Sequence, residues 1–416
     1  MKSKLPFILA AVLSATALLS AIAGEAAPVA DGQWVGTWVS AQQLVEPQNL
    51  PPQPGLAGHT LRQVIRPSIG GEVIRVTFSN AYGESPLGIA AANVARSTGG
   101  SAIDPAGVAA LTFGGEHAVT IQPGTSVISD PVQCKVQALE NLAVSTVISS
   151  MPVNVTGHPG SRTTSFIQPG DAATAAELPE AKRVDHWYLL AAVDVQAGKS
   201  AGAVVVIGDS ITDGRGSTTN QNNRWPDNLA RQLRANPRTR DVSVLNQGIG
   251  GNRVLRNGLG PSALERFDRD VLVPPGVRWL VIFEGINDLG TAKGARTKGQ
   301  PATTARDIIL GLEQMIVRAQ THGLRVYGAT LMPFQGFASY YDDQGEADRQ
   351  EINRWIRTSG RFDAVIDFDA IARDRQNPLQ LSAAVDGGDH LHPSVDGHKM
   401  MGEAIDLALF EDAATR

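Results

Sequence analysis

The stretch from Ala203 to Asp213 has the sequence AVVVIGDSITD, and it decides how the second half of the chain is interpreted. Its β-branched run, Val204 to Ile207, is typical of a strand that is buried on both faces. The small polar residues after that run put Ser210 on the turn at the carboxyl end of the strand. Open α/β sheets carry their chemistry at these ends. Ser210 is therefore a candidate nucleophile, provided that the chain also supplies a base, a residue that orients the base, and oxyanion donors.

Strand-like runs continue to alternate with helical patterns after this stretch. The further runs are Val242–Leu245, Trp279–Phe283, Val326–Leu331 and Ala364–Phe368. Repetition of strand and helix favours right-handed crossovers and a mostly parallel sheet. We therefore expect a three-layer α/β domain over residues 203–411.

One helix is well defined by its pattern. Apolar residues recur at helical spacing from Ala305 to Ala319. Thr304 with Asp307 can cap the start of this helix, and Gly323 can end it.

Two further polar blocks follow predicted strands, and a third precedes the predicted last helix. The second strand is followed by Asn246–Asn252, a Gly-rich turn whose backbone N–H groups can approach a reacting oxygen. The third is followed by Gly285-Ile-Asn287-Asp288, in which the Asn287 amide can donate to an oxyanion. Near the C-terminus, the block Asp389–Pro393 places a carboxylate and an imidazole three residues apart.

Together the four blocks resemble the GDSL, or SGNH, hydrolase superfamily. Gly208-Asp-Ser-Ile stands at that family's Gly-Asp-Ser-Leu, and the other three blocks follow in the family's order. The resemblance covers about half of the chain and implies a flavodoxin-like fold and a serine hydrolase that acts mainly on esters. Thr212 breaks the G-x-S-x-G pattern of the α/β-hydrolases, which favours the GDSL interpretation.

The resemblance also implies a role for each matching residue. Ser210 would be the nucleophile, His392 the general base and then acid, and Asp389 the residue that orients His392. The backbone N–H groups of Ser210 and Gly251 and the side chain of Asn287 would form the oxyanion hole. Two further acids of these blocks, Asp209 and Asp288, are predicted to brace loops rather than react.

Each site residue also has a purely structural interpretation. Ser210 could cap a helix, and Gly251 and Asn287 could serve only as turn residues. His390 competes with His392 for the role of base, but it adjoins Asp389, and adjacent side chains diverge. His398, in the predicted last helix, is expected at the surface or in packing.

The first half of the chain has a different texture. Residues 31–200 contain short alternating segments separated by Gly, Pro, Asn and Ser, of which Val73–Phe78, Leu142–Ile148, Thr164–Ile167 and Trp187–Val195 are the clearest. Many short strands with frequent turns predict a β-sandwich-like domain. We expect this β-rich domain to be a scaffold that shapes one side of the active-site cleft. Residues 196–202 are the predicted linker.

The N-terminus and the composition indicate an exported protein. Residues 1–23 combine two lysines, an apolar run and a small-x-small site, which is typical of a cleaved secretory signal. We therefore expect a secreted or periplasmic protein with no membrane span after cleavage. The net charge of −5 and the lack of a basic run argue against nucleic-acid binding.

No cofactor or metal is predicted, because the sequence has no H-E-x-x-H, paired C-x-x-C or G-x-x-x-x-G-K-[ST] motif. No oligomeric state is predicted either.

The substrate is the least determined feature. An aromatic loop after the fourth strand contains Phe334, Tyr340 and Tyr341, which could wall an acyl pocket or stack on a sugar, or could instead pack on the next helix. Arg253 is a further candidate contact. We predict a small-molecule or glycan ester with a short or acetyl acyl group. The alternatives are acyl transfer to a glycan and a non-catalytic glycan-binding protein on a hydrolase scaffold.

Overall fold

The structure is a computed structural model that describes residues 32–411. The predicted export signal, residues 1–23, lies outside this range. The described part consists of a β-rich region that ends at Ala197 and an α/β region that begins at Gly202. Within it, no helix is both long enough and apolar enough to span a bilayer.

The β-rich region is built from antiparallel strands. The strands are β1 Gln33–Val39, β2 Gln43–Leu44, β3 His59–Ile65, β4 Gly71–Ser79, β5 Leu87–Gly99, β6 Ala102–Ile103, β7 Ala109–Ala110, β8 Val119–Ile121, β9 Ser126–Ile128, β10 Val132–Val136, β11 Leu142–Ser150, β12 Thr156–His158, β13 Ser165–Pro169, β14 Lys182–Val184, β15 Trp187–Tyr188 and β16 Leu190–Ala197.

These strands form three sheets. The largest has the order β14-β13-β3-β11-β5-β6, and β7 and β8 also pair with β5. The second has the order β1-β16-β4-β10, and β9 pairs with β4; the small third sheet has the order β15-β12-β2. The two larger sheets share one apolar core, as a sandwich requires.

One predicted strand is interrupted. The run Trp187–Val195 is divided at Leu189, which has a φ of 64°. This left-handed residue turns the chain, so that β15 pairs in the small sheet while β16 pairs with β1 and β4. The prediction of one continuous strand is therefore wrong, because period-2 alternation does not show a backbone reversal.

The α/β region contains a five-stranded parallel sheet. Its strands are β17 Gly202–Gly208, β18 Val242–Gly248, β19 Val277–Phe283, β20 Arg325–Ala329 and β21 Ala364–Ile366. They lie in the order β18-β17-β19-β20-β21. Numbered along the region, this order is 2-1-3-4-5, the flavodoxin-like arrangement. Its helices are α1 Ser210–Asp213, α2 Trp225–Ala235, α3 Ala263–Phe267, α4 Ile286–Thr297, α5 Ala305–Thr321, α6 Asp343–Thr358, α7 Phe368–Ala372 and α8 Val395–Glu403.

Local sequence explains two of these boundaries. The helix α5 starts as predicted, because Thr304 and Asp307 bond each other's backbone N–H groups in a capping box. The last strand ends at Ile366 and not at Phe368, because the Asp367 side chain accepts the Ala370 N–H and caps α7.

The sheet order brings the predicted site blocks together. The central strand β17 is buried along its whole length and lies between β18 and β19. Because the three strands are parallel, the turns after them open at the same edge of the sheet. Those turns carry Ser210, Gly251 and Asn287.

The β-rich region packs directly on the α/β region. Ser68 covers the outer edge of β18, since its hydroxyl accepts the Val244 N–H and donates to the Val244 carbonyl, both at 3.1 Å. One apolar core contains side chains from both regions. The predicted linker, residues 196–202, overlaps the ends of β16 and β17, and Gln33 bonds the carbonyl of Ala201 within it at 2.6 Å. This packing protects the free edge of the parallel sheet.

Candidate active site

Ser210, the predicted nucleophile, lies on a tight turn after β17. Asp209 caps the four-residue helix α1 by accepting the Ile211 N–H at 2.9 Å, and Ser210 is the first residue of that helix. A Cβ at Gly208 would overlap the Thr212 side chain, so the turn requires glycine there. The Ser210 hydroxyl is thereby held at the carboxyl edge of the sheet.

Ser210, His392 and Asp389 form a continuous hydrogen-bonded chain. The Ser210 Oγ lies 2.8 Å from His392 Nε2, and His392 Nδ1 lies 2.7 Å from Asp389 Oδ2. Asp389 also accepts the backbone N–H groups of Leu391 and His392, at 3.1 and 2.8 Å, which fixes its carboxylate beside the ring. The carboxylate fixes the tautomer that carries its proton on Nδ1, and the Nε2 lone pair faces the hydroxyl.

The pKa shifts of His392 and Asp389 suit His392 for the role of general base. Burial lowers the pKa of His392, although the bond to Asp389 opposes that shift, and the charges of Arg215 and Arg162 lower the pKa further. Burial alone would raise the pKa of Asp389, but the hydrogen bonds from His392 outweigh burial and lower it. At neutral pH His392 is therefore an unprotonated acceptor beside an ionised carboxylate.

The two backbone donors predicted for the oxyanion hole have no competing acceptor. No residue in the range 32–411 accepts the backbone N–H of Ser210 or of Gly251. Gly251 has a φ of 72°, a conformation that favours glycine.

Asn287 is held at both ends of its amide. Its Nδ2 donates to the Asn252 carbonyl at 2.8 Å, and its Oδ1 accepts the Tyr340 hydroxyl at 2.8 Å. These two bonds distinguish nitrogen from oxygen and leave the second N–H of the amide available. The Tyr340 ring reaches this position because Gly290 has no side chain, and a Cβ there would overlap the ring.

Arg266 is a positioning residue that sequence reasoning missed. Its side chain is fully buried and donates to the carbonyls of Gly208 and Gln247 and to the Asn252 side chain, at 2.6 to 3.1 Å. It thus joins the turn after β17 to the turn after β18. No motif spacing links Arg266 to these turns, so no pattern in the sequence pointed to it.

Buried acids lie under the site. Burial raises the pKa of Asp209 to about 7 and that of Asp288 to about 6, and burial also raises the pKa of Glu284 well above its ordinary value. Asp288 accepts the Val254 N–H at 2.8 Å and so holds the loop that follows Gly251. Asp209 and Asp288 therefore brace loops.

The aromatic loop divides into packing and site residues. The prediction of substrate contact for Phe334 is wrong, because its side chain is fully buried and packs on Tyr341 at 5.4 Å between ring centres. Tyr340 contacts Asn287, as described above. Phe337, which the sequence did not single out, meets His392 edge-on at 6.4 Å. Arg253 is half-buried and donates to the Asn257 carbonyl.

Two other histidines near the C-terminus, His390 and His398, make contacts outside the predicted triad. His390 Nδ1 lies 2.6 Å from Asp386. His398 is fully buried, where its Nδ1 accepts the Trp225 N–H and its Nε2 lies 3.0 Å from the Arg215 carbonyl. Burial lowers the pKa of His398 to about 4, so it serves packing as a neutral ring.

The β-rich region reaches the nucleophile helix through His158. Its Nε2 lies 2.9 Å from Asp213 Oδ1 in α1, and its Nδ1 lies 2.9 Å from the Ala41 carbonyl. Both ring nitrogens of His158 therefore have a partner, one in α1 and one on the backbone of the β-rich region. The end of α1 is thereby fixed from outside the α/β region.

Comparison with known proteins identifies the family of the α/β region. Residues 206–400 match the sequence model of the GDSL-like lipase/acylhydrolase family. This region belongs to that family. This GDSL enzyme is a carboxylic ester hydrolase, and its α/β region has the GDSL/SGNH hydrolase fold with a large β-rich region before it.

The GDSL enzyme also resembles solved structures over about half of its length. A GDSL-like lipase from Bacteroides thetaiotaomicron is 18% identical over 50% of this chain and 87% of that one, with a TM-score of 0.37. An acetylxylan esterase from Geobacillus stearothermophilus is 20% identical over 49% and 92%, with a TM-score of 0.38. A comparison with curated proteins finds no match.

Proposed function

We propose that the protein is an exported serine esterase that hydrolyses short-chain carboxylic esters through an acyl-enzyme. The observation that carries this proposal is the chain of contacts from Ser210 through His392 to Asp389, with links of 2.8 and 2.7 Å. A serine is a weak nucleophile until an adjacent base takes its proton. His392, held as an unprotonated acceptor, meets that need.

The reaction takes place in two stages. Ser210 attacks the ester carbonyl while its proton passes to His392 Nε2, and Asp389 stabilises the imidazolium that forms. His392 then donates the proton to the leaving alkoxide, and the acyl group stays on Ser210. In the second stage water takes the place of the alcohol and attacks the acyl carbon while His392 takes its proton. His392 then returns that proton to Ser210 Oγ as the bond between the acyl group and Oγ breaks, and the carboxylic acid leaves.

The oxyanion of each tetrahedral intermediate needs fixed donors. The N–H groups of Ser210 and Gly251 and the free N–H of Asn287 are suited to that task. Loss of one such donor raises the barrier by roughly 2.7 to 4 kcal/mol in serine hydrolases. The bonds that Asn287 makes to Asn252 and Tyr340 orient its amide before the substrate arrives, so little reorganisation is needed.

A short acyl group is supported by the side chains around the site. The ring of Tyr340 bonds Asn287, and the ring of Phe337 stands against His392. These two rings narrow the space beside the reacting carbon. Acetyl and other small acyl groups fit such a space better than long chains do.

The test uses p-nitrophenyl esters from acetate to long acyl chains, together with a fluorophosphonate that labels active serines. We expect turnover and labelling in the wild type, a preference for acetate, and loss of both signals in Ser210→Ala. Ser126→Ala removes an exposed serine of β9 and serves as the matched control. A wild type that neither labels nor turns over any ester would disprove the proposal.

Export is tested separately. We expect the protein recovered outside the cytoplasm to begin near residue 24, as N-terminal sequencing would show. A protein that keeps residues 1–23 after export would contradict the proposed cleavage.

A further inference from the structure

Arg162 is a half-buried cation whose charge is unpaired. It lies in the loop between β12 and β13, and its side chain makes no hydrogen bond or ion pair with any residue in the range 32–411. Its Nε is buried without a partner. The residue as a whole is half-buried, so its guanidinium lies in a partly screened position without a protein acceptor and is free to pair with an anion from outside.

The backbone of Arg162 adds to this anomaly. Its φ is 51°, in the left-handed region that few residues other than glycine adopt. Its carbonyl accepts the Asn220 N–H at 2.9 Å, which fixes the loop against the α/β region. Residues held in unfavourable backbone conformations occur preferentially at ligand sites.

The loop that carries Arg162 lies against the catalytic machinery. Two residues earlier, Gly160 packs so closely on Asp213 of α1 that a Cβ would overlap the carboxylate. Burial is the main cause of the lowered pKa of His392, and the charge of Arg162 adds a small contribution in the same direction. Arg162 thus belongs to the β-rich region but faces the active site of the α/β region.

The guanidinium of Arg215 also lies near the predicted triad. Arg215 follows α1, and its side chain is 62% exposed. Its Nε is 4.0 Å from Asp389 Oδ2, too far for a hydrogen bond, and it has no other ion-pair partner in the range 32–411. Its charge also lowers the pKa of His392. Two cations without close partners therefore lie near the same imidazole.

The proposed reaction indicates which part of the substrate would contact Arg162 and Arg215. His392 donates its proton to the leaving alkoxide, so the alcohol portion of the ester must lie beside His392. The positive charges of Arg162 and Arg215, which act on His392, are therefore placed to meet the alcohol portion.

We propose that Arg162 and Arg215 form a subsite for a carboxylate on the alcohol portion of the ester, so that the preferred substrates are acyl esters of acidic sugars such as uronic acids. The inference rests on the proposed esterase function. Guanidinium and carboxylate pair through two parallel hydrogen bonds, and a partly buried arginine gains most from that pairing. The β-rich region would then take part in substrate recognition.

The test compares two acetylated methyl glycosides, one of glucuronic acid and one of glucose, with release of acetate as the readout. A charge-assisted hydrogen bond corresponds to roughly tenfold or more in affinity. We therefore expect the wild type to favour the glucuronide by at least about tenfold in kcat/KM, and less so at high salt. We expect that ratio to fall about tenfold in Arg162→Gln, and Arg162→Lys to retain part of it.

Two further variants complete the design. Arg215→Gln, at a more exposed position, is expected to reduce the ratio less than Arg162→Gln does. Arg240→Gln removes the same charge from the residue before Asp241 and β18, at the opposite edge of the sheet, and is expected to leave the ratio unchanged. Thermal unfolding of each variant shows whether it folds.

The outcomes separate this inference from the proposed function. A wild type that hydrolyses p-nitrophenyl acetate but has equal kcat/KM for both glycosides would overturn the carboxylate subsite and leave the esterase proposal intact. A wild type inactive on all three substrates would disprove the esterase proposal itself. If Arg162→Gln fails to fold, the wild-type ratio and Arg215→Gln still decide the matter.

Discussion

Replacement of His158 by alanine tests whether the β-rich region holds the nucleophile in place. His158 and Asp213 are both almost fully buried, at 4% and 2% side-chain exposure, and their contact of 2.9 Å joins the two regions. Asp213 is the last residue of α1, and Ser210 is the first. Any displacement of Asp213 is therefore passed to the nucleophile within one helical turn.

The expected magnitude follows from the burial of the pair. His158→Ala leaves the Asp213 carboxylate buried without its hydrogen-bonded partner, and removal of one member of a buried charged pair destabilises proteins by about 3–5 kcal/mol. Asp213→Ala should be milder, about 1–3 kcal/mol, because an imidazole can remain neutral. A shift of about 1 Å in a reacting group can lower turnover about a hundredfold, so we expect a lower kcat in His158→Ala.

The assay is urea unfolding, followed by tryptophan fluorescence, together with kcat and KM on p-nitrophenyl acetate. The double variant His158→Ala/Asp213→Ala should be less destabilised than the sum of the single variants, since it leaves no unpaired charge. His59→Ala removes an imidazole whose one hydrogen-bond partner within residues 32–411 is the Ala57 carbonyl, and it serves as control. The reasoning is refuted if His158→Ala matches His59→Ala in stability and in kcat.

Three further predictions follow from the site. Tyr340→Phe removes the bond that orients Asn287, and we expect kcat to fall about 2- to 13-fold with a smaller change in KM; an unchanged kcat would contradict this role. Because the pKa of His392 lies below 6.5, the ring stays unprotonated and kcat/KM should persist as the pH falls below that value; an acid limb at or above pH 6.5 would contradict it. The pKa of His398 is about 4 in the folded protein and near 6.5 when unfolded, so the unfolded state binds more protons between these values and stability falls on acidification. Relative to His398→Gln, the wild type should lose up to about 3 kcal/mol between pH 7 and pH 4 in urea unfolding, and a difference that does not vary with pH would contradict the burial argument.

The features that could be predicted from the sequence are those that neighbouring residues determine. The run from Val204 to Ile207 indicated a buried strand because its apolar residues are continuous, and the structure confirms that burial. The capping box of α5 depends on two residues three positions apart, so its pattern is visible in the sequence. The spacing of Asp389 and His392 likewise lies within one turn.

The features that could not be predicted depend on contacts between distant residues. Tyr340 and Asn287 are 53 positions apart, and His158 and Asp213 are 55 apart. An aromatic residue in a loop indicates a surface or a packing role equally well until its neighbours are known. Phe334 is completely buried and therefore has a packing role. Tyr340 donates a hydrogen bond to Asn287 and therefore lies beside the predicted oxyanion hole.

The position of the nucleophile depends on both regions of the chain. A helix of four residues is too short to be stable alone, so the place of Ser210 must come from contacts at the two ends of α1. Asp209 supplies the first contact from within the α/β region, and His158 supplies the second from the β-rich region. The loop that follows His158 carries Arg162, whose charge contributes to the lowered pKa of His392. A single loop therefore links the alignment of the nucleophile to the proposed recognition of the alcohol portion, and a change in that loop should affect catalysis and substrate preference together.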